Sequence, residues 1–89
     1  MDILELRNEI DAIDRELVEN FCRRMEVAAK IADYKKENNL PISHPGRELE
    51  VLQKVSELAG PELGDYARDL YSEIFKISKH YQSKRNNSV

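Results

Sequence analysis

From Asp2 to about Asn38 the chain contains neither glycine nor proline, and its apolar residues return every three or four positions, at Ile3, Leu6, Ile10, Ile13, Leu17, Phe21, Ala28 and Ile31. That period is the stripe of one amphipathic helix of about 37 residues, spanning 2–38. Asn38, Asn39 and Pro41 are stop signals, because Asn tolerates the left-handed cap and the residue before a proline is pushed out of the helical region. A second helix, about 45–59, is expected to start at Ser43-His44-Pro45, where Ser43 or His44 can cap and Pro45 suits the first turn. Leu49, Leu52, Val55 and Leu58 give it a face, and Gly60-Pro61 end it. A third helix, about 62–84, carries Leu63, Tyr66, Ala67, Leu70, Tyr71, Ile74, Ile77, Ser78 and Tyr81 at helical spacing. Residues from Asn86 to Val89 are expected to fray. The pattern predicts an all-α chain of three helices forming a single domain over 1–89.

At about 1.5 Å per residue the first helix is roughly 55 Å long, whereas a compact domain of this length has a radius of gyration near 12 Å. Its stripe runs nearly from end to end, so the part its own chain leaves uncovered calls for a second copy. The reading is an intertwined antiparallel homodimer, two-fold pairing being the commonest closed symmetry. The alternative is a helix kinked or broken near Asn20 that folds back into a monomeric bundle.

Composition sharpens this. Eighty-nine residues bury only a little over half of their unfolded surface, so the core is thin. A formal charge of −3 lacks the clustered basic excess of a nucleic-acid footprint. Cys22 is the single cysteine, which rules out an internal disulfide, and with His44 and His80 it makes no zinc-type spacing, so no metal site is expected. The charged opening does not read as a signal peptide, and no window approaches the roughly 18 apolar residues of a spanning helix. No membrane association and cytoplasmic residence are the expectations.

The informative residues are charges on the apolar stripe. Continuing its spacing, Arg24 and Lys35 fall where core residues belong; eleven positions apart, they return to within about 20° of each other around the helix. A buried cation costs several kcal/mol unless an anion meets it. Arg7, on the edge of the same stripe, lies about 26 Å along the axis from Arg24. With antiparallel pairing about an axis near residue 20, position 7 of one chain maps to about the level of position 33 of the other. Arg7 of one chain then faces the gap between Arg24 and Lys35 of its partner. Three converging cations suit a small molecule with two or more carboxylates. Arg47 and Glu48 add a cation and an acceptor at the start of the second helix. Ser78 and Gln82, four apart, share one face of the third. Taken singly, Arg7 and Arg47 also read as surface charges and Gln82 as a solvated residue. Arg24 and Lys35 also read as snorkelling side chains or partners of a carboxylate such as Glu48.

Together the order of these residues resembles the all-helical chorismate mutase family. The likeness is carried by Leu4-Glu-Leu-Arg7-Asn-Glu-Ile-Asp-Ala-Ile-Asp14-Arg-Glu-Leu-Val, by Arg23-Arg24-Met-Glu-Val-Ala-Ala-Lys-Ile-Ala-Asp-Tyr-Lys35, by Arg47-Glu48 and by Ser78-Lys-His-Tyr-Gln82, over about residues 4–82. It implies a three-helix chain that dimerises through its long first helix and rearranges chorismate to prephenate, at the branch leading to Phe and Tyr, without a cofactor. It implies that the partner's Arg7 and Arg24 bind the two substrate carboxylates, and that Lys35 and Gln82 donate to the ether oxygen of the breaking bond. Arg47 belongs to the cationic surround, Glu48 accepts from the substrate hydroxyl, and Ser78 makes a secondary contact. The family usually has Asp near that hydroxyl at the position where this chain has His44.

The residue types suit a unimolecular pericyclic reaction, which asks for no nucleophile, proton relay or metal. Two other functions fit parts of the pattern. An isochorismate-pyruvate lyase shares the helical fold and a similar cationic pocket, although Glu48 with Gln82 leans toward the mutase. A helical dimerisation or regulatory module would use Arg24 or Lys35 to set register, but leaves Arg7, Arg47, Glu48, Ser78 and Gln82 unexplained.

Overall fold

The computed structural model describes residues 2–42 and 44–87. Among them it is helical without strands, with two elements, α1 (Ile3–Glu37) and α2 (Pro45–Asn87). The chain divides into two units, Met1–Ile31 and Ala32–Val89.

The first unit is the bulk of α1. Asp2 caps it: its Oδ1 accepts the backbone N–H of Glu5 at 2.9 Å, satisfying one of the donors that a helix N-terminus leaves over. Glu5 in the first turn also complements the positive end of the helix dipole. The helix is continuous over 35 residues, which overturns the alternative of a break near Asn20; without Gly or Pro, nothing in the segment lowers the cost of one. Its apolar stripe is open. Ile3, Leu6, Ile10, Ile13, Leu17 and Phe21 are all exposed, Ile10 and Leu17 by 58% each, while Ala29 is buried.

The second unit starts in the last turns of α1. The helix closes in a Schellman motif: the N–H of Leu40 reaches Lys35 O at 2.8 Å, and the N–H of Asn39 reaches Lys36 O at 3.3 Å. Asn39 takes the left-handed conformation, φ 56, which Asn tolerates better than most side chains. Asn38 adds a side-chain bond from Nδ2 to Tyr34 O at 2.8 Å, and Pro41 follows the stop.

α2 is capped by His44, whose Nδ1 accepts the backbone N–H of Arg47 at 2.9 Å. Glu48 N–H makes the first helical bond, to His44 O at 3.1 Å. A ring nitrogen that accepts carries no hydrogen, so the imidazole N–H is on Nε2. Of the two caps the sequence offers, Ser43 lies outside the described residues.

The expected break at Gly60-Pro61 is a kink, at which two helical arms meet with no linking segment between them. One helical run continues to Asn87, and only Gly60 within it is non-helical, at φ 87 and ψ 174. No side-chain-bearing residue takes that conformation readily. Pro61 at once resumes helical geometry, its fixed φ and missing N–H being tolerated in a first turn, so no linking segment is needed. The run also extends past the expected end at Lys84, through Asn86 and Asn87; Ser88 and Val89 lie outside the described residues. A second glycine completes the elbow. A Cβ at Gly64 would lie 2.7 Å from Ser56 Oγ and 3.0 Å from Ser56 O, so the bare backbone of the later arm at Gly64 packs against the side chain and carbonyl of Ser56 on the earlier one.

Within this unit Ala32 and Ser78 are buried, and no large side chain is fully buried in the chain as described. Leu52, Val55, Ile74 and Phe75 are half-buried, with Tyr71 and Phe75 edge to face at 6.3 Å between ring centroids. Leu49, Leu58, Leu63 and Leu70, expected on the apolar faces, are exposed.

Candidate active site

The fold of the second unit brings four of the expected site residues into defined local contacts. Ser78 and Gln82 sit one turn apart on the later arm of α2, where Gln82 Nε2 donates to Ser78 Oγ at 3.1 Å. Ser78 is 6% exposed and Gln82 half-buried. One amide hydrogen of Gln82 is thereby spent, and the other remains for an acceptor. The pairing fixes the carboxamide so that its nitrogen, rather than its oxygen, is toward Ser78.

Lys35 is half-buried in the last turn of α1. Its Nζ donates to Ile42 O at 3.1 Å, closing the loop after the Schellman motif back onto the helix. An ammonium has further hydrogens to offer, so this contact orients the group without exhausting it.

Glu48, in the first turn of the earlier arm, meets a residue to which sequence reasoning gave no role. Lys79 Nζ lies 2.6 Å from Glu48 Oε1, the two side chains being 48% and 29% exposed. Lys79 stands between Ser78 and Gln82 in sequence, so the pair links the arm that carries them to the arm that carries Arg47 and Glu48. Solvent screening holds such a pair to about 1 kcal/mol or less of stability. Its larger effect is chemical, since one carboxylate oxygen is taken and its charge balanced. A lysine beside the Ser78 motif was the available signal, but helical phase alone does not show that an arm folds back onto Glu48.

Arg47 is exposed, with its guanidinium 3.4 Å from Glu50 in a loose i,i+3 pair; at that exposure the pair holds it weakly. His44 is engaged in the cap and contributes no negative charge. Arg85 and Asp33, 3.6 Å apart, join the end of α2 to the last turns of α1, a contact the sequence pattern did not signal.

Arg7 and Arg24 belong to the first unit. Arg7 is exposed, and Arg24 is half-buried and engaged in an interaction of its own. Among the described residues no cluster of His, Cys, Asp and Glu could hold a metal ion. A cavity in the elbow is lined by Ser56, Glu57, Gly60, Pro61, Gly64 and Asp65 and contains none of the expected site residues. The second unit thus carries an ammonium oriented by Ile42 O, a carboxamide oriented by Ser78, an exposed guanidinium and a carboxylate paired with Lys79.

Comparison with known proteins adds an independent line. The family model described as chorismate mutase type II matches residues 6–83. The T-protein of Haemophilus influenzae is 43% identical over 49 residues, 55% of this chain and 13% of that protein. A bifunctional chorismate mutase/prephenate dehydratase of Aquifex aeolicus is 40% identical over 57 residues, 64% of this chain and 16% of that protein. The 4-amino-4-deoxychorismate mutase of Streptomyces venezuelae is 37% identical over 46 residues, 52% of this chain and 45% of that protein. The matched region is thus a small part of the first two relatives and under half of the third. No solved structure matches the chain significantly.

Proposed function

The chain belongs to the chorismate mutase type II family, and on that premise we propose that it rearranges chorismate to prephenate, in the cytoplasm, as an intertwined antiparallel homodimer whose protomers are single domains over 1–89. Each protomer supplies three helical segments, α1 and the two arms of α2 on either side of Gly60. The open stripe of α1 supports the dimer: residues from Ile3 to Phe21 that a folded chain would bury stand exposed, and the same face of a second copy is a fitting cover. No helix of the described residues is long and apolar enough to cross a membrane.

In this reading the partner's Arg7 and Arg24 hold the two substrate carboxylates, with Arg47 adding positive potential at the edge. Clamping both ends keeps the flexible substrate in its folded, reactive conformer, an orientation effect worth several kcal/mol in favourable cases. Lys35 and Gln82 donate to the ether oxygen. Negative charge grows there as the carbon–oxygen bond lengthens, so fixed donors stabilise the transition state more than the bound substrate. The hydrogen bonds to Ile42 O and Ser78 Oγ hold these donors in place beforehand, so little reorganisation is left for the reaction itself. Glu48 accepts from the substrate hydroxyl, with Ser78 as a secondary contact and His44 at the edge of the same region. Chorismate, rather than the 4-amino-4-deoxy compound named for the Streptomyces relative, is the proposed substrate.

The single observation that carries the assignment is the coincidence of the family match with Lys35, Gln82 and Glu48 each oriented by a neighbour within the second unit. The test is direct. Purified protein is incubated with chorismate, the fall in its ultraviolet absorbance is followed, and the product is identified. Prephenate formation is the expected result. Pyruvate release from isochorismate without prephenate formation from chorismate identifies a lyase, and inertness toward both leaves a dimerisation module.

A further inference from the structure

Lys79 has no part in the reaction as drawn above, yet it makes a close ion pair with Glu48, at 2.6 Å. A carboxylate that serves only to accept from a neutral hydroxyl does not need a cation on its other oxygen. The question is what the cation changes about the group that can bind there.

A hydroxyl and an ammonium differ in two ways at such a site. The hydroxyl is neutral and can both donate and accept; the ammonium is charged and can only donate. A free carboxylate favours the ammonium, through direct attraction between opposite charges. A carboxylate already paired with Lys79 offers a second oxygen as acceptor, but its charge is balanced, and an ammonium placed on it would stand close to the Lys79 ammonium. Like charges at that separation repel, most strongly where solvent is partly excluded, and Glu48 is the more sheltered partner at 29% exposure. The neutral hydroxyl meets no such penalty.

One turn away the same bias recurs. His44 stands at the cap and Glu48 four residues later, on the same side of the helix start. With Nδ1 engaged by the backbone N–H of Arg47, His44 presents an N–H. A hydroxyl oxygen can accept from that group and an ammonium cannot.

We infer that Lys79 is a positioning residue that sets substrate choice, holding Glu48 as a charge-balanced acceptor so that the site takes a substrate with a neutral hydroxyl at carbon 4 and turns away one with an ammonium there. The inference rests on the mutase reading above and adds to it a residue and a reason for selectivity.

The experiment compares kcat/KM for chorismate and for 4-amino-4-deoxychorismate in the full-length protein and in two variants. Lys79→Met keeps much of the chain length and removes the charge; with Lys79 half-exposed, it leaves the fold intact, and circular dichroism and oligomeric state provide the check. In the unmodified protein chorismate is preferred. In Lys79→Met the preference narrows at least tenfold, chiefly by a gain for the amino substrate, because Glu48 becomes a free carboxylate. Lys79→Arg, which restores a cation, keeps the original ratio. A merely structural role for Lys79 lowers both activities together and leaves their ratio unchanged, and that result overturns the inference while the mutase reading stands. Loss of selectivity in Lys79→Arg equal to that in Lys79→Met overturns it as well. An unmodified protein that converts neither substrate removes the mutase reading and the inference with it.

Discussion

Replacing Gly60 by Ala tests how the second unit is built. The residue sits at φ 87 and ψ 174, a region that costs a residue with a Cβ about 1–3 kcal/mol. No atom lies within 4 Å of where that Cβ would be, so steric crowding adds nothing and the whole penalty is backbone strain. Ala also restricts the unfolded chain, which elsewhere stabilises a protein by about 0.4–1 kcal/mol, but that gain is outweighed where the native φ is positive. The expected result is a net loss of about 1–2 kcal/mol, equivalent to a fall in Tm of roughly 4–15 °C for a domain of this size. Urea unfolding followed by circular dichroism reads it, at one fixed protein concentration because an oligomer's apparent stability depends on concentration. A midpoint that falls with an unchanged slope is the signature of lost stability rather than altered compactness. An unchanged midpoint refutes the claim that Gly60 is required for its conformation. The same strain bears on the site, because the arm after Gly60 carries Ser78, Lys79 and Gln82 and the arm before it carries Arg47 and Glu48. Relief by shifting the arms moves Ser78 and Gln82 relative to Arg47 and Glu48, so activity toward chorismate is expected to fall alongside stability.

Three further outcomes follow from the proposed reaction. Lys35→Ala lowers kcat by about two orders of magnitude or more, by analogy with removal of an oxyanion donor, while sedimentation shows the oligomer unchanged; near-normal turnover refutes the donor role. Gln82→Glu is inactive at neutral pH and recovers as pH falls toward the ordinary carboxyl range near 4, because only the protonated acid can donate as the amide does; a pH–rate profile parallel to that of the unmodified protein counts against it. Mixing inactive Arg7→Ala with inactive Arg24→Ala chains under conditions of subunit exchange restores up to about a quarter of the full activity, since half of the dimers are mixed and each has one intact site of two. Absence of recovery with exchange demonstrated places both arginines of a site in one chain.

Much of this protein follows from its sequence alone. The three-and-four spacing from Ile3 to Ile31, uninterrupted by Gly or Pro, is enough for one long helix, because periodicity and propensity are local and agree. The stop at Asn39 and the start at His44 are equally local: a left-handed cap and a side-chain acceptor act within a few residues of backbone. The family is legible too, since it resides in residue types at set separations, from Arg7 through Arg24, Lys35 and Glu48 to Gln82. Tertiary structure decided the rest. Gly60 and Pro61 read as a break between two helices, and the fold narrows that break to the single non-helical residue Gly60, because the positive φ of a glycine lets the chain turn without a linking segment. Lys79, to which the pattern gave no role, reaches Glu48 from 31 positions away in sequence. No period along either arm carries that information, because charge attraction acts through space and which charges meet is set by how the arms fold back at Gly60 and Gly64.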